Sequence, residues 1–403
     1  MNLNSSTLSL LGGQPAFDQP LHVGRPNIGD KRRFLQLAEE ALDRRWLSND
    51  GVILKQFEAR LQDLLGVRHV IAVSNATIGL ELAFRAVVGD RQGEVIVPSF
   101  TFVATAHVPA WCGCTVVFAD VDLTTHQLTA ASVEGCLTDK TVAIMPVHLW
   151  GACQATPELE ALAAKHGLPI LFDAAHAFST SLGGKKVGHF GAAEVFSFHA
   201  TKFINSGEGG AITTNDDDLA QRLRLMRNFG FAGYDKVVTL GTNAKMNEFN
   251  AAMGLTCLES LEEIIARNRA NWQAYETQLS KLPGLSLYRY DPATEPNCQY
   301  VIVEVDEAQA GLSRDELVAV LHAENVMARK YFYPGVHRME PYQTLQPDAG
   351  HRLPNTEILT RTVLALPTGT AVGEAEIAVI GRIFETAMSR TAEVKAALES
   401  KPA

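Results

Sequence analysis

An aspartate closes the apolar run LPILFD at residues 168–173, a histidine follows three residues later, and a lysine stands in SFHATKFINSGEGG at 197–210. Asp173, at the end of an apolar run, would be costly to bury without a cationic partner. A pyridinium nitrogen is one such partner, because an acid beside it keeps the ring protonated and able to accept electrons. The matching requirement is an amine that can carry an aldehyde as a Schiff base, and Lys202 supplies one. The pair therefore suits pyridoxal phosphate chemistry. A second reading stays open on these two residues alone: Asp173 caps a following helix and Lys202 is solvated.

A phosphate-bearing cofactor also needs an anion site. SNAT at 74–77 ends a strand and opens a helix, an arrangement that aims backbone amides at an anion, with Thr77 adding a hydroxyl. The same residues also make an ordinary Ser/Asn helix cap. Ser197, five residues before Lys202, can add a second hydroxyl to the same phosphate. Phe102 is placed to stack on a ring, or is a core phenylalanine. His176, one helical turn from Asp173, can hydrogen-bond a ring hydroxyl, or is a structural histidine.

These residues converge only if the surrounding elements place them together. Candidate strands are 69–74, 94–98, 115–120, 142–147, 168–173, 193–198 and 210–214, with helices predicted at 77–88, 105–112 and 156–167. Near-continuous apolar strands separated by helices indicate a mostly parallel α/β sheet with helices on both faces. Ligands gather beyond the carboxyl ends of such strands. Ser74, Asn75, Thr77, Ser99, Thr101, Phe102, His148, Asp173, Ser197 and Lys202 all lie at those ends. After residue 215 the pattern changes to one long helix from about 250 to 282, a strand at 299–307, a helix at 313–326 and a last helix near the end. The expected division is a large domain of residues 1–265 and a smaller C-terminal α+β domain of residues 266–403.

Bulk composition narrows the classes. Among 403 residues, 45 are acidic and 35 basic, and no run of Lys/Arg offers a nucleic-acid footprint. The six cysteines include a single C-x-C pair, Cys112 and Cys114, with no second pair to complete a zinc site. The N-terminal MNLNSSTLSLLGG lacks a basic start and a long apolar core, and no apolar run approaches the ~20 residues that span a bilayer. A soluble cytoplasmic protein, with no metal and no membrane or nucleic-acid partner, is expected.

The stretches FDAAHA, FSFHATK and GEGG resemble the fold-type I pyridoxal-phosphate enzymes, and specifically the DegT/DnrJ/StrS sugar aminotransferases. The resemblance extends through WLSNDG, PSFTFVATA, VFADVD, VHLWG, NFGF, GTNAKMNE and ALPTGTAVG. GGQPAFDQPLHVGRPN, QYVIVEVDEA and YFYPGVHRMEPY look most like the dTDP-4-keto-6-deoxyglucose 4-aminotransferases of deoxysugar biosynthesis, those of desosamine pathways in particular. By that resemblance Lys202 carries the cofactor, Asp173 partners the pyridine nitrogen, His176 neighbours the ring hydroxyl and Phe102 stacks on the ring. Ala76, Thr77 and Ser197 would bind the phosphate; many relatives have glycine in place of Ala76, a change that keeps the amide. Asn243 would reach the phosphate from the other subunit, which implies a homodimer with shared active sites. Arg329, Lys330, Tyr331 and His337 correspond to the part that holds the nucleotide sugar.

The implied reaction takes an amino group from L-glutamate, passes it through pyridoxamine 5'-phosphate, and delivers it to C4 of the sugar. A 3-aminotransferase acting on a 3-keto sugar and a non-catalytic cofactor-binding regulator are the rival readings. A sugar 3-dehydratase is more distant, since those enzymes replace the lysine with histidine.

Overall fold

The computed structural model describes residues 7–400. Residues 1–6, part of the N-terminal stretch read above for a targeting segment, and 401–403 lie outside the described residues. Seven strands appear where apolar runs predicted them: β1 (His69–Val73), β2 (Glu94–Pro98), β3 (Thr115–Ala119), β4 (Thr141–Ile144), β5 (Leu171–Asp173), β6 (Ala193–Ser197) and β7 (Gly210–Thr214). They pair as β3-β2-β4 and β5-β6-β7-β1, and parallel bridges Ile144↔Ile170 and Val147↔Asp173 join the two blocks into one sheet. Strand β7 runs antiparallel to both its neighbours, and the other described pairings are parallel. Successive residues of β1 enter opposite cores, Val70 and Ala72 on one side, Ile71 and Val73 on the other. Burial on both faces explains why the strands read as unbroken apolar runs rather than alternating ones.

Helices α1 (Lys31–Arg44), α2 (Val52–Leu65), α3 (Ala76–Val88), α4 (Ala104–Trp111), α5 (Thr156–Lys165), α6 (Asp217–Arg227) and α7 (Glu248–Glu259) cover the sheet, with α3 packed on β6 and β7 and α2 on β1. The single long helix expected from about residue 250 is two. Helix α7 ends and α8 (Leu261–Leu279) begins at Ser260, whose backbone (φ −101°, ψ 13°) leaves the helical well. The last helix divides in the same way into α11 (Glu374–Ser389) and α12 (Thr391–Glu399) at Arg390. No helix among the described residues is long and apolar enough to cross a membrane.

A second core gathers around an antiparallel sheet, β8 (Leu285–Leu287), β9 (Val301–Val305) and β10 (Val363–Leu366), covered by α8, α9 (Arg314–Ala323) and α11; α10 (Pro354–Thr362) lies against β9. The N-terminal residues Leu8, Ala16, Phe17 and Leu21 are buried in this core, and the Glu324 carboxylate accepts the Ala16 amide at 2.7 Å. Arg329 pairs with Ala365 at the edge of the small sheet, which starts the chain from Arg329 towards the strand ends of the large one.

Helix α2 has no side-chain cap of its own, because its N-cap residue is Gly51. The cap comes from far along the chain: the buried Glu248 carboxylate accepts the Ile53 and Leu54 amides, both at 2.9 Å. A Cβ at Gly51 would stand 2.3 Å from that carboxyl carbon, so glycine is required for the close approach. Glu248 closes the segment GTNAKMNE and so pins the loop bearing Asn243 to α2. Glu248→Ala, which orphans two amides, should lower the unfolding free energy by about 2 kcal/mol. An unchanged denaturation midpoint would refute that cap.

Candidate active site

A cavity of about 560 Å³ opens at the carboxyl ends of β1, β5 and β6. Asp173 ends β5 and is 5% exposed. One of its oxygens accepts the Ala175 amide at 3.0 Å and the other the Thr105 hydroxyl at 2.9 Å, with Thr101 3.2 Å behind Thr105. Among the described residues, none pairs ionically with it. Burial raises the Asp173 pKa; the Ala175 amide, the Thr105 hydroxyl and the more distant charges of Lys202 and His148 offset that only in part.

Lys202 follows β6 across the same cavity, and its Nζ donates to the Tyr300 hydroxyl at 3.2 Å. Burial lowers its pKa, with the Tyr331 phenol and the Asp173 carboxylate pulling it back up in part. Burial also pushes the Tyr300 phenol up, so Tyr300 stays neutral as the partner of the amine. Carboxylate and amine thus share one cavity without touching. His176 is buried 4.4 Å from the Tyr300 ring and is held neutral, first by burial and then by the charge of Lys202. Its Nδ1 faces the Trp150 amide at 3.4 Å, which leaves the ring proton on Nε2.

Helix α3 starts at the cavity. The Asn75 side chain caps it through the Ile78 amide at 2.9 Å, so the ordinary cap reading holds for Asn75. The Ala76 and Thr77 amides have no partner among the described residues, and both residues line the cavity. A Cβ on Gly210 would sit 2.9 Å from the Ala76 nitrogen, so the glycine lets β7 pass against this helix end. Ser197, at the end of β6, lines the same region. Phe102 is 60% exposed at the cavity, which removes the core-phenylalanine reading. Arg329 and Tyr331 complete the wall.

Lys330 and His337 are not brought to this cavity, and Asn243, expected to serve the other subunit, does not line it either. His337 is buried in a network with the Ser99 hydroxyl at 2.7 Å and the Glu357 carboxylate at 2.8 Å, which ties its turn to the end of β2. Lys330 turns away to Asp315, with its Nζ 3.2 Å from the carboxylate. Asn243 lies outside the cavity of its own chain, bridged to Asn228 beside a stretch with exposed Phe229, Tyr234 and Leu240. His148, another strand-end residue, pairs with buried Glu194 at 2.7 Å and stacks on Phe172 at 4.6 Å, behind the site. Conversely, Thr105 and Tyr300 hold the two central groups and were not singled out. Thr105 stands one helical turn after Thr101, a spacing that could have found it. Nothing local marks Tyr300.

Residues 29–385 match the DegT/DnrJ/EryC1/StrS aminotransferase family. The chain belongs to that family. It is 36% identical over 360 residues to the GDP-perosamine synthase of Caulobacter vibrioides, covering 89% of this chain and 95% of that one. It is 32% identical over 370 residues to a dTDP-4-amino-4,6-dideoxy-D-glucose transaminase of Escherichia coli, covering 91% and 98%. Among solved structures, that of DesI in the presence of its TDP-sugar product has a TM-score of 0.92 and 47% identity, over 98% of this chain and all of that one. The fold is the fold-type I α/β architecture expected from the sequence, in a family of pyridoxal-phosphate-dependent aminotransferases.

The cavity fits such a cofactor. It offers a buried carboxylate without a cation, an amine of lowered basicity, unpaired amides at a helix N-terminus and an exposed aromatic face. The same carboxylate should weaken the cofactor-free protein. Its folded-state pKa lies above its unfolded value, so ionisation costs no stability below about pH 4 and an increasing amount as pH rises through the folded pKa. Cofactor-free Asp173→Asn should therefore melt above the wild type near neutral pH, with the gain fading on acidification, while kcat of the loaded enzyme falls on the order of 10²–10³-fold. A variant that melts at or below the wild type near neutral pH would contradict the buried-charge reading.

Proposed function

We propose that the chain transfers the amino group of L-glutamate to C4 of dTDP-4-keto-6-deoxy-D-glucose, giving dTDP-4-amino-4,6-dideoxy-D-glucose and 2-oxoglutarate. The observation that carries this reading is the buried Asp173 set across one cavity from Lys202 without pairing to it, in a chain 47% identical to DesI over nearly its full length. Bound pyridoxal phosphate supplies an electron sink and an aldehyde that exchanges for an amine.

The residues then divide the work. Asp173 holds a proton on the ring nitrogen. His176, neutral and with its proton on Nε2, donates towards the ring hydroxyl. The Ala76 and Thr77 amides, with the Thr77 and Ser197 hydroxyls, receive the phosphate at the positive end of α3. Phe102 packs on one ring face. Lys202 Nζ takes the proton from the α-carbon of glutamate and, in the return half of the cycle, delivers a proton to C4 of the sugar. Its lowered basicity leaves a larger neutral fraction for the first step. Residues 1–265 supply these groups, and residues 266–403 close the cavity with Tyr300, Arg329, Tyr331 and Phe332. Arg329 and Tyr331 face the nucleotide sugar. A second copy of the chain brings its Asn243 to the phosphate, burying the exposed Phe229, Tyr234 and Leu240 in the dimer.

Incubation of the purified holoenzyme with dTDP-4-keto-6-deoxyglucose and L-glutamate, followed by NMR of the product, should place nitrogen at C4. Nitrogen at C3, or no amino sugar, would overturn the assignment. Lys202→Ala should leave a folded protein whose turnover is reduced by about 10⁴-fold or more. Substantial steady-state activity in that variant would show that another group moves the proton.

A further inference from the structure

Trp150 supports the cavity without lining it. Its ring stacks on Phe332 (5.2 Å, 10°), His176 (5.7 Å, 22°) and Tyr331 (6.2 Å, 25°), and meets Tyr300 edge-on at 5.4 Å. All four of those residues line the cavity. Trp150 is fully buried, its backbone sits in the left-handed region (φ 60°), and its carbonyl accepts the Tyr290 hydroxyl at 3.1 Å. What sets the direction of the indole is one bond: Nε1–H donates to His126 Nδ1 at 3.0 Å.

An indole nitrogen only donates, so His126 Nδ1 carries no proton and the ring proton sits on Nε2. That Nε2 faces the Glu304 carboxylate at 3.3 Å, off the line of a hydrogen bond. Glu304 belongs to β9, the strand that begins immediately after Tyr300. Strand β9 holds the end of this relay, and the residue immediately before it is the partner of Lys202. His126 is 1% exposed and lies outside the cavity, so it acts on the site only through its neighbours.

We propose that His126, backed by Glu304, is a positioning residue for the active site: its acceptor fixes the indole plane against which His176, Tyr331 and Phe332 are set. A buried indole N–H deprived of its acceptor is destabilised and is free to turn in search of another. Turning would carry the stacked rings with it and change the orientation of His176. The proposal rests on the aminotransferase reading for its consequences, but the bond itself does not.

The test is a double-mutant cycle on the holoenzyme with His126→Leu and Trp150→Phe, alongside His126→Asn. His126→Leu should lower kcat/KM for the nucleotide sugar by about tenfold and alter the visible circular dichroism of the bound cofactor. Trp150→Phe, which keeps a stacking ring but has no N–H, should do the same by itself. Adding His126→Leu to Trp150→Phe should then change both readouts by much less than it does in the wild-type background. The strain of leucine at the positive φ of 56° is common to both backgrounds and cancels in the cycle. His126→Asn keeps an acceptor oxygen and tolerates that φ, so it should return both readouts close to wild-type values.

In cofactor-free protein labelled with ¹⁵N-tryptophan, the indole resonance lost in Trp150→Phe should shift in His126→Leu and hold its place in His126→Asn. Additive losses across the cycle, or wild-type kcat/KM and dichroism in Trp150→Phe, would overturn the proposal even if His126→Leu fails to fold. A wild type that binds cofactor but makes no amino sugar would instead refute the functional reading, with the indole resonance still reporting on the bond.

Discussion

The Asp173 carboxylate is buried with two neutral donors and, among the described residues, no cation in contact, while an amine of the same cavity is held by a phenol instead. A buried charge without a counterion is expensive, and direct pairing with Lys202 would be the simplest relief. The structure denies that relief by geometry. Strand β5 delivers Asp173 to the cavity floor, the first turn of α4 supplies Thr105, and Tyr300, just before β9, receives the amine. The space left between them is the cavity that the start of α3 and the aromatic residues Phe102, Tyr331 and Phe332 also line. The rest of the fold holds those two groups apart and in register.

Support extends outward in layers. Glu194 on β6 sits behind Asp173, accepting the Phe190 amide at 2.8 Å and pairing with His148, whose ring lies flat on Phe172. Each polar group in that layer is matched, so the strand that presents Asp173 rests on a satisfied base rather than on a second orphan. On the opposite wall the aromatic stack of Trp150, Phe332 and Tyr331 plays the corresponding part, with shape rather than charge. Phe172 behind one wall and Trp150 and Phe332 on the other belong to the same hydrophobic core.

The large sheet was legible because burial on both faces leaves apolar runs with clear ends, and Asp173, Thr77 and Ser197 were legible because they stand at those ends. Helices α1 and α2 precede the first strand of the alternating pattern and are not among the expected helices, although α2 buries Ile53, Phe57, Leu61 and Leu65 at helical spacing. The break at Ser260 was invisible because neither glycine nor proline marks it. Phe102 shows the ambiguity of a lone aromatic, since only its exposure separates a ring-stacking residue from a core one. Contiguity misled at the RKYFY segment: Tyr331 reaches the cavity, while Lys330 beside it turns to Asp315. His337 was expected beside the nucleotide sugar from the resemblance alone, and its two partners, Ser99 and Glu357, come from distant parts of the chain. Thr105 and Tyr300 act on the chemistry through partners that only the folded chain brings near.

The central claim is that Asp173 is kept ionised by a protonated ring and has no other cation to serve. The most direct measurement is the ¹⁵N chemical shift of the pyridine nitrogen in enzyme loaded with ring-labelled cofactor, followed across pH. A nitrogen that remains protonated well above the range in which the free cofactor loses that proton, and that deprotonates in Asp173→Asn, is the predicted result. A nitrogen that is unprotonated near neutral pH in the wild-type enzyme would contradict the account.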